Sequence, residues 1–119
     1  MEQALVYYNP KCGTCRKVRE TLEKRGIPAR YVEYLKTPPS VLELDQVLKI
    51  LGVEPLQIVR AQEPIFEKKF AGKTLTRAQW LEALHAHPEL IQRPIVVWGK
   101  RAIVARPAEI IESFLNKEG

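Results

Sequence analysis

The chain has 119 residues, of which 45% are hydrophobic and 28% charged, and a net charge of +5. That is enough for one domain with a real core, too short for two ordinary ones, and too well mixed for wholesale disorder. No apolar stretch approaches the roughly 18 residues of a membrane span. Lysines and arginines are spread without a basic block, which argues against direct nucleic-acid binding and leaves either a solvated surface or an affinity for small anions.

The opening Met1-Glu2-Gln3-Ala4-Leu5 has no basic n-region and does not resemble a secretory signal, so a cytoplasmic location is expected. Leu5 to Tyr8 then reads as a short buried strand. Thr14 to Arg25 reads as a helix closed by Gly26, with Cys15, Val18 and Leu22 on one face. Ala29 to Leu35 is a second strand, broken by Thr37-Pro38-Pro39, and the resulting βαβ unit should hold its two strands parallel. Ser40-Val41-Leu42-Glu43 and Thr76-Arg77-Ala78-Gln79 are capping boxes. The first opens a helix that ends before Gly52, the second one that runs towards His87 and stops before Pro88. Pro55 to Gly72 between them is expected to hold a short helix or two.

Pro94 to Trp98 and Arg101 to Ala105 flank Gly99-Lys100, the signature of a hairpin with a type II′ turn. In that register Trp98 faces Arg101, an expected cross-strand packing pair, and Arg93 faces Arg106. Each arginine precedes a proline, which favours extended backbone. Two guanidinium groups on one face form a fork for a tetrahedral oxyanion, the alternative being that both splay into solvent. Pro107 fits the first turn of a closing helix through Ile110, Ile111 and Leu115. The whole is an α/β chain read as one domain over residues 1–119: βαβ over 1–36, a helical insertion over 37–91, and ββα over 92–119.

Cys12 and Cys15 are the only cysteines. They lie where strand gives way to helix, and a thiol there meets unpaired N–H groups and the positive end of the helix dipole, both of which favour the thiolate. A Cys-x-x-Cys at that place reads as a thioredoxin-like redox motif. Cys12, at the turn beside Lys11, is the better nucleophile, and Gly13 suggests close backbone approach. Cys15 is equally readable as a small core residue. Zinc bound by Cys12, Cys15, His85 and His87 is disfavoured, because histidines two apart do not share a helix face, and no metal is expected. Glu43 and Asp45 read as helix surface.

Asn9-Pro10-x-Cys12-Gly13-Thr14-x-Arg16, Tyr34-Leu35-Lys36-Thr37-Pro38-Pro39, Arg60, Arg93-Pro94-Ile95-Val96 and Arg106-Pro107 together resemble the glutaredoxin-dependent bacterial arsenate reductases over essentially the whole chain. The resemblance implies a thioredoxin-like (glutaredoxin-like) mixed sheet with a helical insertion, and a cis bond at Arg93–Pro94 facing the thiol. It implies that Cys12 attacks arsenate while Arg60, Arg93 and Arg106 hold the oxygens. Glutathione is then the co-substrate, glutaredoxin removes the mixed disulfide, and no cofactor is bound. Cys15 stands where glutathione-coupled members usually carry serine, and Tyr8 where many carry histidine, so Cys15 is a candidate resolving thiol with thioredoxin as reductant. Spx-type thiol-redox regulators, which bind RNA polymerase, share Cys12, Cys15 and the Arg93-Pro94 strand, and a regulator of that type is the alternative reading.

Overall fold

The structure is a computed structural model whose described residues are 2–116. It divides into two compact units: Pro38–Gln92, and the described residues on either side of that segment.

The first unit is a four-stranded mixed sheet with two helices. β1 (Ala4–Tyr8) is followed by α1 (Gly13–Lys24) and β2 (Ala29–Glu33), and β3 (Ile95–Trp98), β4 (Arg101–Val104) and α5 (Ile110–Asn116) complete it. The strand order is β2-β1-β3-β4. β1 and β2 are parallel, as the βαβ reading requires, with Val6 opposite Tyr31, and β3 runs antiparallel to both β1 and β4. Alternation along β1 sends Ala4, Val6 and Tyr8 to one face, where they pack with Cys15, Val18 and Leu22 of α1 and with Ile111, Phe114 and Leu115 of α5. Each such buried aliphatic or aromatic side chain contributes about 1.5–3 kcal/mol. Arg25 joins the helices at their exposed edge, donating to Glu112 Oε1 (3.1 Å) and Asn116 Oδ1 (2.7 Å).

Gly99 has φ +65° and Lys100 is not in the left-handed region, the pattern of a type II′ turn. Trp98 pairs with Arg101 in register, and each side chain also has a partner of its own. Trp98 Nε1 donates to the Glu2 carbonyl (2.7 Å), whereas Arg101 lies 4.5 Å over the Phe114 ring and donates to the Phe114 carbonyl (2.8 Å). Two boundaries differ from expectation by more than one residue. β2 stops at Glu33 rather than Leu35, because the Glu33 carbonyl accepts from the N–H groups of Lys36 and Thr37 and turns the chain. The closing helix begins at Ile110, three residues beyond Pro107, after turns in which Ile110 and Ile111 donate to the carbonyls of Pro107 and Ala108.

The second unit is helical. It holds α2 (Val41–Leu51), α3 (Pro64–Lys69), α4 (Arg77–Ala86) and short 3₁₀ turns at Pro55–Ile58 and Pro88–Leu90. Ser40 Oγ accepts from the Glu43 N–H, and Gly52 closes α2 at φ +73°. At α4 the box is reciprocal, Thr76 accepting from Gln79 N–H and Gln79 from Thr76 N–H. Asp45 is paired with Arg77 (2.9 Å) and Lys49 (3.1 Å), and Arg77 first and Lys49 second hold its carboxyl below the usual range. The two histidines have separate engagements: His85 Nδ1 meets the Pro39 carbonyl at 2.8 Å, and His87 meets the Phe70 ring edge-on.

Candidate active site

Sheet direction decides which side chains meet. Cys12 follows the carboxyl end of β1, and Tyr34 follows the carboxyl end of the parallel β2. β3 is antiparallel to β1, so its start, preceded by Arg93, lies at that same end. β4 reverses again and brings Arg106, just beyond its last residue, to the same place. Open α/β sheets bind ligands at this end of their strands.

The loop before α1 is held by Asn9. Its Oδ1 accepts from Lys11 N–H and its carbonyl from Cys12 N–H, both at 3.0 Å, while Arg16 donates to the Pro10 carbonyl. An Asx turn of this kind is a local alternative to water for backbone donors. It sets Cys12 at the N-cap of α1, with extended φ/ψ of −93° and 122°, so that its side chain stands at the mouth of the helix. No ordinary cap hydrogen bond forms there. The N–H and thiol of Cys15 are nevertheless near enough to the Cys12 sulfur to favour its charge. At Gly13 an added Cβ would meet only Arg16 Nη2, at 3.9 Å, so no other part of the protein packs closely against it.

Cys12 is half-buried and Cys15 fully buried, and both are free thiols. Burial pushes the Cys12 thiol up, but the Cys15 N–H and thiol, then Arg106 and Arg93, outweigh it and bring the pKa down to about 7. Burial, joined by the neighbouring Cys12 sulfur, pushes Cys15 up to about 12 against a hydrogen bond from Asn9. The pair therefore shares one ionisable position near neutrality, with the charge on Cys12 and the proton on Cys15.

Arg106 Nη1 lies 3.7 Å from Cys12 Sγ and donates to the Arg93 carbonyl at 2.9 Å. The hairpin pairing extends past the strands as far as the Ala105 N–H donating to the Pro94 carbonyl. Beyond it the chain bends, with Arg106 N–H turning back to the Val104 carbonyl. The two arginines thus do not form a regular strand pair. They meet through the Arg106 side chain and the Arg93 backbone. Arg93–Pro94 is cis, and so is Arg106–Pro107, for which the sequence carried no signal.

The Arg93 guanidinium is itself an influence on Cys12. Burial opposes its charge, but Tyr34 and the Cys12 thiolate more than offset this, and its pKa is raised. Its Nε is buried without a hydrogen-bond partner. A buried unpaired donor costs about 1–3 kcal/mol, which an arriving acceptor relieves. Tyr34, fully buried at this end of the sheet, is the residue that sequence reasoning passed over. Only its place in the Tyr34-Leu35-Lys36-Thr37-Pro38-Pro39 segment hinted at it.

Tyr8 is buried and meets Tyr31 edge-on at 5.4 Å, with Arg19 over both rings. Arg60 belongs to the second unit. It follows the bridge between Val59 and Ile91, its N–H donates to the Leu90 carbonyl, and its Nη1 lies 3.4 Å from Glu63 Oε2. Its Nε, like that of Arg93, is buried and unpartnered. Among the described residues no group of three or more histidine, cysteine or acidic side chains is arranged to hold a metal ion.

A sequence model described as the ArsC family matches residues 7–114. The chain is 35% identical over 117 residues to an arsenate reductase of Neisseria meningitidis serogroup A, a match covering 97% of this chain and 100% of that one. To an arsenate reductase of Escherichia coli it is 34% identical over 116 residues, covering 97% of this chain and 82% of the other. Among solved structures it is similar to an arsenate reductase from Vibrio cholerae, with a TM-score of 0.89 and 34% identity over 94% of this chain and 97% of that chain. The sheet with its flanking helices is thus the thioredoxin-like fold of that group.

Proposed function

The chain belongs to the ArsC family, and on that premise we propose that it reduces arsenate to arsenite by nucleophilic attack of Cys12. The observation that carries this reading is the contact of Arg106 Nη1 with Cys12 Sγ at 3.7 Å, on a thiol whose pKa is brought down to about 7. A thiolate approaching an oxyanion must overcome like charge, and fixed guanidinium donors lower that barrier where charge develops. In the first step the Cys12 sulfur displaces an arsenate oxygen, which leaves as water once protonated, and a sulfur–arsenic bond forms. Arg93 and Arg106 hold the remaining oxygens, with Arg60 as the third anion ligand. The buried, unpartnered Nε atoms of Arg93 and Arg60 support roles as donors awaiting an acceptor.

Electrons come from glutathione, with glutaredoxin clearing the mixed disulfide, and the protein needs no bound cofactor. Thioredoxin is the second candidate donor, which the dithiol pair favours. The reading also takes the chain as one thioredoxin-like domain carrying residues 37–91 as an insertion, supported by the compactness of Pro38–Gln92. Cytoplasmic location is part of it, because this dithiol must be returned to its reduced form after each turnover, which a reducing compartment supplies. No described helix is long and apolar enough to cross a membrane.

The test is arsenate-dependent NADPH oxidation, run once with glutathione and glutaredoxin and once with thioredoxin and its reductase. Turnover is expected in at least one, and none from Cys12→Ser. Silence in both, together with capture of RNA polymerase by the reduced or oxidised protein, would transfer the site to the Spx-type regulator reading.

A further inference from the structure

We propose that Cys15 supplies the second thiol of the reaction, closing a Cys12–Cys15 disulfide and expelling arsenite before any external thiol takes part. This rests on the arsenate-reducing reading above and adds the identity and timing of the electron donor.

The two residues occupy the N-cap and third positions of α1. Side chains three apart on a helix have Cβ atoms about 5–6 Å apart, whereas a disulfide needs about 3.5–4.5 Å. Cys12 has extended rather than helical backbone, so closing that gap takes adjustment at a helix end and not in its interior. Cys15 is 0% exposed and lies on the core face with Val18 and Leu22, so Cys12 is the partner within its reach. Burial keeps its proton in place until the adduct forms. A thiol held in position acts at an effective concentration that can reach about 10⁵ M and above, so it competes well with a dissolved thiol.

In the resolving step the Cys15 sulfur attacks the Cys12 sulfur of the adduct. The sulfur–sulfur bond forms, the sulfur–arsenic bond breaks, and arsenic leaves with the electron pair. The Cys15 proton passes to an arsenic oxygen. Two thiols have become one disulfide, and arsenic(V) has become arsenic(III). Glutathione or thioredoxin then acts on the oxidised protein, entering at the half-exposed Cys12 sulfur because Cys15 is closed off.

Fully reduced protein, freed of small thiols under anaerobic conditions, is mixed with excess arsenate, and arsenite, free thiols and intact mass are measured. The expected result is one arsenite per chain, loss of both thiols, and a monomer lighter by two hydrogens. Cys15→Ser and Cys15→Ala, two variants in case one folds poorly, should release no arsenite until glutathione is added. Wild-type protein that yields arsenite only after glutathione is added would overturn the internal route and leave the reductase reading standing. Equal thiol-free release from the Cys15 variants would overturn it as well. No arsenite under any reductant would remove both.

Discussion

At the scale of single residues, Cys12 and Arg106 make the argument measurable. Alkylation follows the thiolate, so its rate should fall as pH drops through about 7 and level off above, rather than at the roughly 8.5 of a free cysteine. Arg106 is one of the groups that lower this pKa, so Arg106→Ala should shift the midpoint upward, read by a neutral alkylating reagent. The same substitution should reduce kcat/KM for arsenate by about 10²–10³-fold, the range found when one donor to a developing oxyanion is lost. A variant with near wild-type turnover and an unmoved alkylation midpoint would remove Arg106 from the site. Cys12, Cys15, Arg93 and Arg106 could be named from sequence because each sits beside a turn or proline whose geometry is local. Tyr34 could not, since its burial depends on a turn at the end of β2 that no periodicity announces.

At the scale of elements, what was legible followed from period and punctuation. α1 shows its core stripe at helical spacing, and the Gly99-Lys100 turn sets the β3–β4 register at Trp98 opposite Arg101. Boundaries depart from the periodic pattern where local turn bonds, which side-chain periodicity does not reveal, claim the backbone first. β2 ends because the Glu33 carbonyl is claimed by the following turn, and α5 starts late because Pro107 and Ala108 offer their carbonyls to single turns first. The α4 box gives a quantitative check away from the chemistry. Thr76→Ala removes the acceptor for the Gln79 N–H and should cost about 1 kcal/mol in urea unfolding. Alkylation of Cys12 in the folded variant should stay unchanged. A cost near zero would mean that water satisfies that helix end as well as threonine does.

For the whole molecule, the relevant quantity is linkage. An anion that binds only the folded chain stabilises it, by about 2.7 kcal/mol when present at 100 times its Kd. Sulfate, phosphate or arsenate should therefore raise Tm more than chloride at equal ionic strength, and Arg106→Ala should lose that increment. A wild-type Tm that does not distinguish sulfate from chloride would count against the anion site. Arg106, fixed on the Arg93 carbonyl at 2.9 Å, carries one more consequence. A guanidinium anchored to backbone measures charge and tetrahedral shape, and phosphate has both in common with arsenate. Under the proposed chemistry, the site therefore has no means of refusing phosphate at the door, and phosphate becomes a competitor that occupies the cradle and leaves unchanged. Discrimination falls to the sulfur: arsenic(V) accepts its electrons and phosphorus(V) does not, so selectivity is a property of the bond formed rather than of the anion held.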